Sequence, residues 1–137
     1  MDQKVLVRDE IDAGATFIQS LIKSLPIQAA FWLYDTYEGQ WFLYLASDQI
    51  TSANTREGYE HVLRADLENP GLYFDSLQVK LIPLKSPLAQ EALAIHERYP
   101  SETVTRINRY SFGGLTIAGG YLYPPAIIAG TPSPAST

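Results

Sequence analysis

The sequence predicts an α+β domain, a mainly antiparallel five-stranded sheet with three helices in the order αββαβαββ. Three observations carry this reading. Apolar residues recur at spacings of three and four in three separate stretches, the period of one helical face. Between these stretches stand short runs rich in aromatic and aliphatic residues, too short for free helices. Gly and Pro mark the boundaries, and the resulting order leaves three helices to cover one side of a sheet.

The first helix is expected over residues 7–25, where Val7, Ile11, Ala15, Ile18, Ile22 and Leu25 share one face before Pro26 ends it. Asp9, Glu10 and Asp12 in its first turn suit the positive end of the helix dipole. Residues 27–34 and 40–46 read as two strands joined through a Glu38-Gly39 turn, an antiparallel hairpin. Asn54 with Glu57 three residues on resembles a capping box, opening a second helix with the stripe Tyr59, Val62, Leu63 and Leu67. Asn69-Pro70-Gly71 closes that helix. Leu77, Val79 and Leu81 then alternate with Gln78 and Lys80, a half-buried third strand. Ser86-Pro87 opens the third helix, whose buried stripe is Leu88, Ala92, Ile95 and Tyr99 and whose end is Pro100. Residues 106–112 and 115–121 flank Gly113-Gly114, a pair suited to a two-residue primed turn. Residues 1–125 form the domain, and 126–137, with Gly130, Pro132 and Pro134, form a tail.

A chain of 137 residues buries a core without disulfides, metals or a partner. Cysteine is absent, which removes disulfide frameworks, cysteine-based zinc sites and a thiol nucleophile together. The polar start and the short longest apolar run, Ala29 to Tyr34, point to neither a signal peptide nor a spanning helix, so a cytoplasmic protein without membrane contact is expected. The net charge of −5 is unevenly spread: residues 1–75 hold 12 acidic and 5 basic side chains, residues 76–137 only 3 and 5.

No catalytic motif stands out. His61 and Glu57 share a helical face, but two ligands fall short of the three protein ligands of a catalytic zinc site, so no metal and no cofactor are implied. His96 lies beside the third helix's apolar stripe, where a packed, hydrogen-bonded role outweighs that of a general base. No G-x-S-x-G elbow occurs. Gly113-Gly114 and Gly119-Gly120 fall within or between strands rather than at a helix start, which favours turn and bulge over phosphate binding.

The first hairpin is the anomaly, because it is apolar at both parities and both its faces want cover. With Phe31 and Leu33 set beside Leu43 and Leu45 against the helices, the opposite face carries Trp32, Tyr34, Phe42 and Tyr44. Lys80 borders this face, and so does Arg109, turned outward if Tyr110, Phe112, Leu115 and Ile117 face the core. Aromatic residues and Arg anchor protein interfaces, so these six residues are the candidate binding site. Such a face also stacks bases in RNA-binding sheets, but the negative charge counts against nucleic acid. The competing structural account is that the loop after Ala46 and the C-terminal segment fold over the face.

The motifs Val7-Arg8-Asp9-Glu10-Ile11, Pro26-Ile27-Gln28-Ala29-Ala30-Phe31-Trp32 and Tyr121-Leu122-Tyr123-Pro124-Pro125 resemble those of a family of small bacterial proteins of unassigned activity. The resemblance spans nearly the whole chain and implies a bacterial cytosolic origin and a shared fold, with no residue roles. The expected function is a non-catalytic module that binds a protein or its own copy through the aromatic face. A small hydrolase and a single-stranded nucleic-acid binder are the alternatives.

Overall fold

The structure, a computed structural model, describes residues 8–71 and 75–128. Its elements are α1 (Arg8–Leu21), β1 (Ala29–Asp35), β2 (Gln40–Ser47), α2 (Thr55–Leu67), a one-turn 3-10 helix (Ser76–Gln78), β3 (Val79–Pro83), α3 (Pro87–Arg98), β4 (Thr105–Ile107), β5 (Ser111–Phe112), β6 (Leu115–Leu122) and the short α4 (Pro125–Ile128). The α+β class and the order of the long elements agree with the sequence reading. The sheet runs β3-β2-β1-β6-β4, with β5 paired to β6. It is mixed, because β2 and β3 are parallel and are joined by a crossover through α2.

The sheet is covered on both faces, whereas three helices on one side were expected. Phe17, Ile18 and Leu21 of α1 and Val62 and Ala65 of α2 pack with Trp32, Tyr34, Trp41, Leu43 and Leu45 in one core. Ala89 and Ala92 of α3, with Phe112, pack with Phe31, Leu33, Phe42 and Tyr44 in a second core on the other face. β1 is buried at every position, which is why its residues are apolar at both parities. Such a strand needs a layer on each side, and moving α3 away from its sister helices supplies the second.

Ser86 accepts a hydrogen bond from the Ala89 N–H and Pro87 occupies the first turn of α3, as the sequence suggests. The capping box at Asn54 does not form. The Asn54 amide oxygen accepts from the Thr51 N–H at 2.7 Å and its nitrogen donates to the Gln49 carbonyl at 2.6 Å, so the side chain closes the preceding loop. The expected third strand begins two residues late, because Asp75 accepts from the Leu77 N–H and winds Ser76–Gln78 into the 3-10 turn. Leu77 is left exposed. On the outer edge of β3 the Tyr59 hydroxyl accepts from the Leu81 N–H at 3.0 Å, so α2 blunts an otherwise unpaired strand edge.

The first helix ends at Leu21 rather than Leu25, unwinding through turns in which the Leu25 N–H still reaches the Leu21 carbonyl at 3.0 Å. Val7, its expected first residue, lies outside the described residues. The strand expected over residues 106–112 is broken into β4 and β5. Between them the Tyr110 carbonyl accepts from the Ile117 N–H, and the Tyr110 side chain, expected in the core, is exposed. Tyr99, Leu63 and Leu67, also placed in buried stripes by periodicity, are exposed as well. Gly113 and Gly114 make the two-residue turn with φ of 57° and 90°, both in the left-handed region that a primed turn demands. A Cβ at Gly113 would also lie 2.8 Å from the Leu88 backbone, so this hairpin tip rests directly on the start of α3. Residues 126–128 of the expected tail belong to α4, where Ile127 and Ile128 pack on the first core. Residues 129–137 lie outside the described residues.

Candidate functional site

The expected aromatic face is divided between the two cores. Residues directly opposite in an antiparallel pair share a face, and the observed partners are Phe31 with Tyr44, Trp32 with Leu43 and Leu33 with Phe42. Trp32 and Tyr34 therefore point to the α1 side, and Phe42 and Tyr44 to the α3 side. All four are buried in the single chain. Helices α1 and α2 cover Trp32 and Tyr34 together with Ile50 of the loop after Ala46 and Tyr123, Ile127 and Ile128 of the C-terminal segment, so the alternative cover holds in part on this side, while α3 and Phe112 cover Phe42 and Tyr44. The reason is the turn. Asp35 accepts from the Tyr37 and Glu38 N–H groups, fixing a four-residue loop between Asp35 and Gln40, and an even loop pairs odd with even positions. Pairing Phe31 and Leu33 with Leu43 and Leu45 amounts to a one-residue slip, which flips every side chain of one strand.

The two cations assigned to that face are already engaged. The Lys80 ammonium sits 4.1 Å above the Phe42 ring, on the α3 side, and the Arg109 guanidinium is ion-paired with Glu91. His61 shares a hydrogen bond of 3.1 Å with the Ser24 hydroxyl. No group of three or more His, Asp or Glu side chains suited to a metal gathers among the described residues. His96 is packed, but its buried Nε2 has no hydrogen-bond partner among the described residues, unlike the bonded histidine expected. Burial holds this imidazole below the ordinary histidine value, so it is neutral at neutral pH.

A different site emerges where α1 meets the segment that follows β6. Tyr123 follows β6 into the first core and is almost fully buried. Its hydroxyl accepts from the Trp32 indole N–H at 2.9 Å and donates to the Ile11 carbonyl at 2.5 Å, tying α1 to the centre of the sheet. Beside this tie opens a cleft of about 480 Å³. Ile11, Asp12 and Ala15 of α1 form one wall, Glu102, Thr103 and Val104 form the rim ahead of β4, and Pro124 and Ile127 close the end. Arg106 and Tyr121 complete it. They stand opposite each other in the β4–β6 register, and the Arg106 guanidinium lies over the Tyr121 ring at 5.1 Å from its centre. Tyr121 in turn packs on Trp41 at 5.7 Å.

No protein-family model, curated protein or solved structure matches this chain.

No helix among the described residues is long and apolar enough to cross a membrane. The cleft was invisible to sequence reasoning for a definite reason. Its residues come from three separate stretches of the chain, 11–15, 102–106 and 121–127, the last two joined by the β4–β6 pairing that the break at Asn108–Tyr110 sets and the first by the Tyr123 bond to Ile11. Asp12 carried a sufficient explanation in the helix dipole. The one available signal was the pairing of a basic and an aromatic residue, Arg106 and Tyr121, in strands expected to be adjacent.

Two buried phenols give the fold an alkaline limit. Desolvation, with the charges of Asp35 and Glu38 adding to it, pushes the Tyr44 hydroxyl up to about 12. Burial raises Tyr123 further, against a smaller lowering by its Trp32 hydrogen bond, and Asp12 adds to the rise. Above pH 10, the ordinary tyrosine value, the unfolded chain releases these protons while the native chain retains them. The Tyr44 contribution is therefore complete below pH 10 and lost as pH rises through about 12, and that of Tyr123 is lost at higher pH still. Thermal melts should show Tm falling over this interval, and Tyr44→Phe should flatten part of the fall relative to its own value at neutral pH. An identical slope in wild type and variant would refute the assignment.

Proposed function

We propose that this chain is a non-catalytic binding module whose ligand site is the cleft between α1, β4, β6 and α4. The observation that carries this reading is Arg106: exposed on the cleft lining and lying over an aromatic ring beside an apolar wall, it makes no ion pair among the described residues. A guanidinium stacked on a ring keeps its in-plane N–H edge for a ligand. The volume falls in the range of small-molecule pockets, about 300–1,000 Å³. Binding is favoured over bond breaking because, among the described residues, the hydroxyl of Thr103 in the lining bonds to Ser101 rather than to a carboxylate or histidine that could activate it. A small-molecule panel followed by amide NMR should shift resonances of Ile11, Ala15, Val104 and Tyr121, and Ala15→Phe, which fills the cleft, should abolish those shifts. Shifts confined to other surfaces would overturn the proposal.

A second reading keeps the protein-binding expectation but moves its surface. Leu63 and Leu67 lie one turn apart on α2 and are 55% and 78% exposed, and Leu77 on the adjoining 3-10 turn is 85% exposed. Exposed apolar side chains grouped in this way suit a protein partner, including a second copy. Light scattering should then show concentration-dependent association that Leu67→Asp removes without lowering Tm. A chain that stays monomeric at every concentration excludes the second copy.

A further inference from the structure

We infer that the cleft takes a small apolar zwitterion, a free α-amino acid with a branched aliphatic or aromatic side chain. The inference rests on the cleft being the binding site and goes on to its ligand class. Three kinds of surface meet there: one guanidinium, Arg106; the carboxylates Glu102 and Asp12; and an apolar wall of Ile11, Val104 and Ile127. Charge decides between ligand types. A simple anion that reaches Arg106 also faces the Glu102 carboxylate, and a simple cation drawn to that carboxylate faces Arg106. A molecule carrying both charges a few bonds apart is opposed by neither.

The geometry of Arg106 assigns the two ends. The guanidinium lies over the Tyr121 ring and pairs with no carboxylate among the described residues, so its forked N–H groups are open to a ligand, and that fork matches a carboxylate in bidentate fashion. The ammonium then lies toward Glu102, whose side chain is exposed on the rim and pairs with no cation among the described residues. The side chain of the amino acid enters between α1 and α4, against Ile11 and Ile127, where burial rewards an apolar group. Polar and charged side chains gain nothing from that wall, which restricts the class to apolar amino acids.

The test is a titration of the full chain, read by amide NMR, with phenylalanine and leucine. The comparators are 3-phenylpropionate, phenethylamine and N-acetylphenylalanine amide, which lack the ammonium, the carboxylate and both charges respectively. Phenylalanine should bind at least about tenfold more tightly than any comparator, the scale of one charged hydrogen bond. Arg106→Gln and Glu102→Gln should each weaken it by about tenfold, with Tm unchanged because both side chains are exposed. If a comparator binds as well as phenylalanine, or if Arg106→Gln leaves the affinity unchanged, the zwitterion is wrong while the cleft stands. If neither the amino acids nor the comparators move the resonances of Ile11, Val104 and Tyr121, both readings fall.

Discussion

Trp32→Ala is expected to destabilise the chain by about 3–5 kcal/mol, the cost of emptying a fully buried Trp site. Trp32 is 1% exposed, at the centre of the middle strand, with α1 packed above it. Truncation removes the indole's contacts and also leaves the Tyr123 hydroxyl without its donor. Small domains have only about 5–15 kcal/mol in total, so the loss takes a large fraction of the whole. Urea unfolding should show the midpoint falling sharply with an unchanged slope. An anchor on a surface between copies would behave differently, with the oligomer dissociating and the monomer as stable as before. A variant that retains its midpoint and changes only its mass in solution would restore the exposed aromatic face.

The second large effect is expected at Gly120, where alanine should cost about 3 kcal/mol, the upper part of the range for overpacking. Gly120 sits in β6 opposite Leu33 on one side and Ile107 on the other. An added Cβ would collide with the Trp32 carbonyl oxygen and approach Leu33 Cδ2 to 2.8 Å. A backbone carbonyl in the central strand cannot swing away as a side-chain tip can. Relief requires prying β6 from β1, which breaks the pairing that joins the C-terminal third to the sheet. Gly71→Ala is the control, since a Cβ there meets nothing within 4 Å, and its midpoint should be unchanged. Equal and small losses in the two variants would show that β6 can shift at little cost.

Local chemistry made much of the fold legible. Ser86-Pro87 announced α3, Gly113-Gly114 announced a primed turn, and the alternation of Val79, Lys80 and Leu81 announced β3. The apolar run from Ala29 to Tyr34 also stated correctly that both faces of its strand are covered. Which residue faced which layer was not legible, because that depended on the four-residue loop held by the Asp35 carboxylate. Periodicity likewise enlisted Leu63, Leu67 and Tyr99, since it reports a helical face without reporting how wide a neighbour covers it. The cleft lay further out of reach, assembled by long-range pairing from residues that are unremarkable one at a time.

The position of β1 also sets the order in which this molecule can assemble. One side of β1 meets β2 across a four-residue loop, while the other pairs Phe31 with Leu122, near the far end of the chain. Closing the longer loop costs roughly 2.5 kcal/mol more, about four doublings of length at ~0.6 kcal/mol each. During synthesis the first hairpin is available early, yet Phe31 and Leu33 wait for α3 and β6 before their face is dry. Until residues 115–122 emerge, the middle strand of the finished sheet is an apolar open edge, the type of surface that pairs with other chains. A chain halted before β6 should therefore aggregate rather than persist as a smaller folded unit.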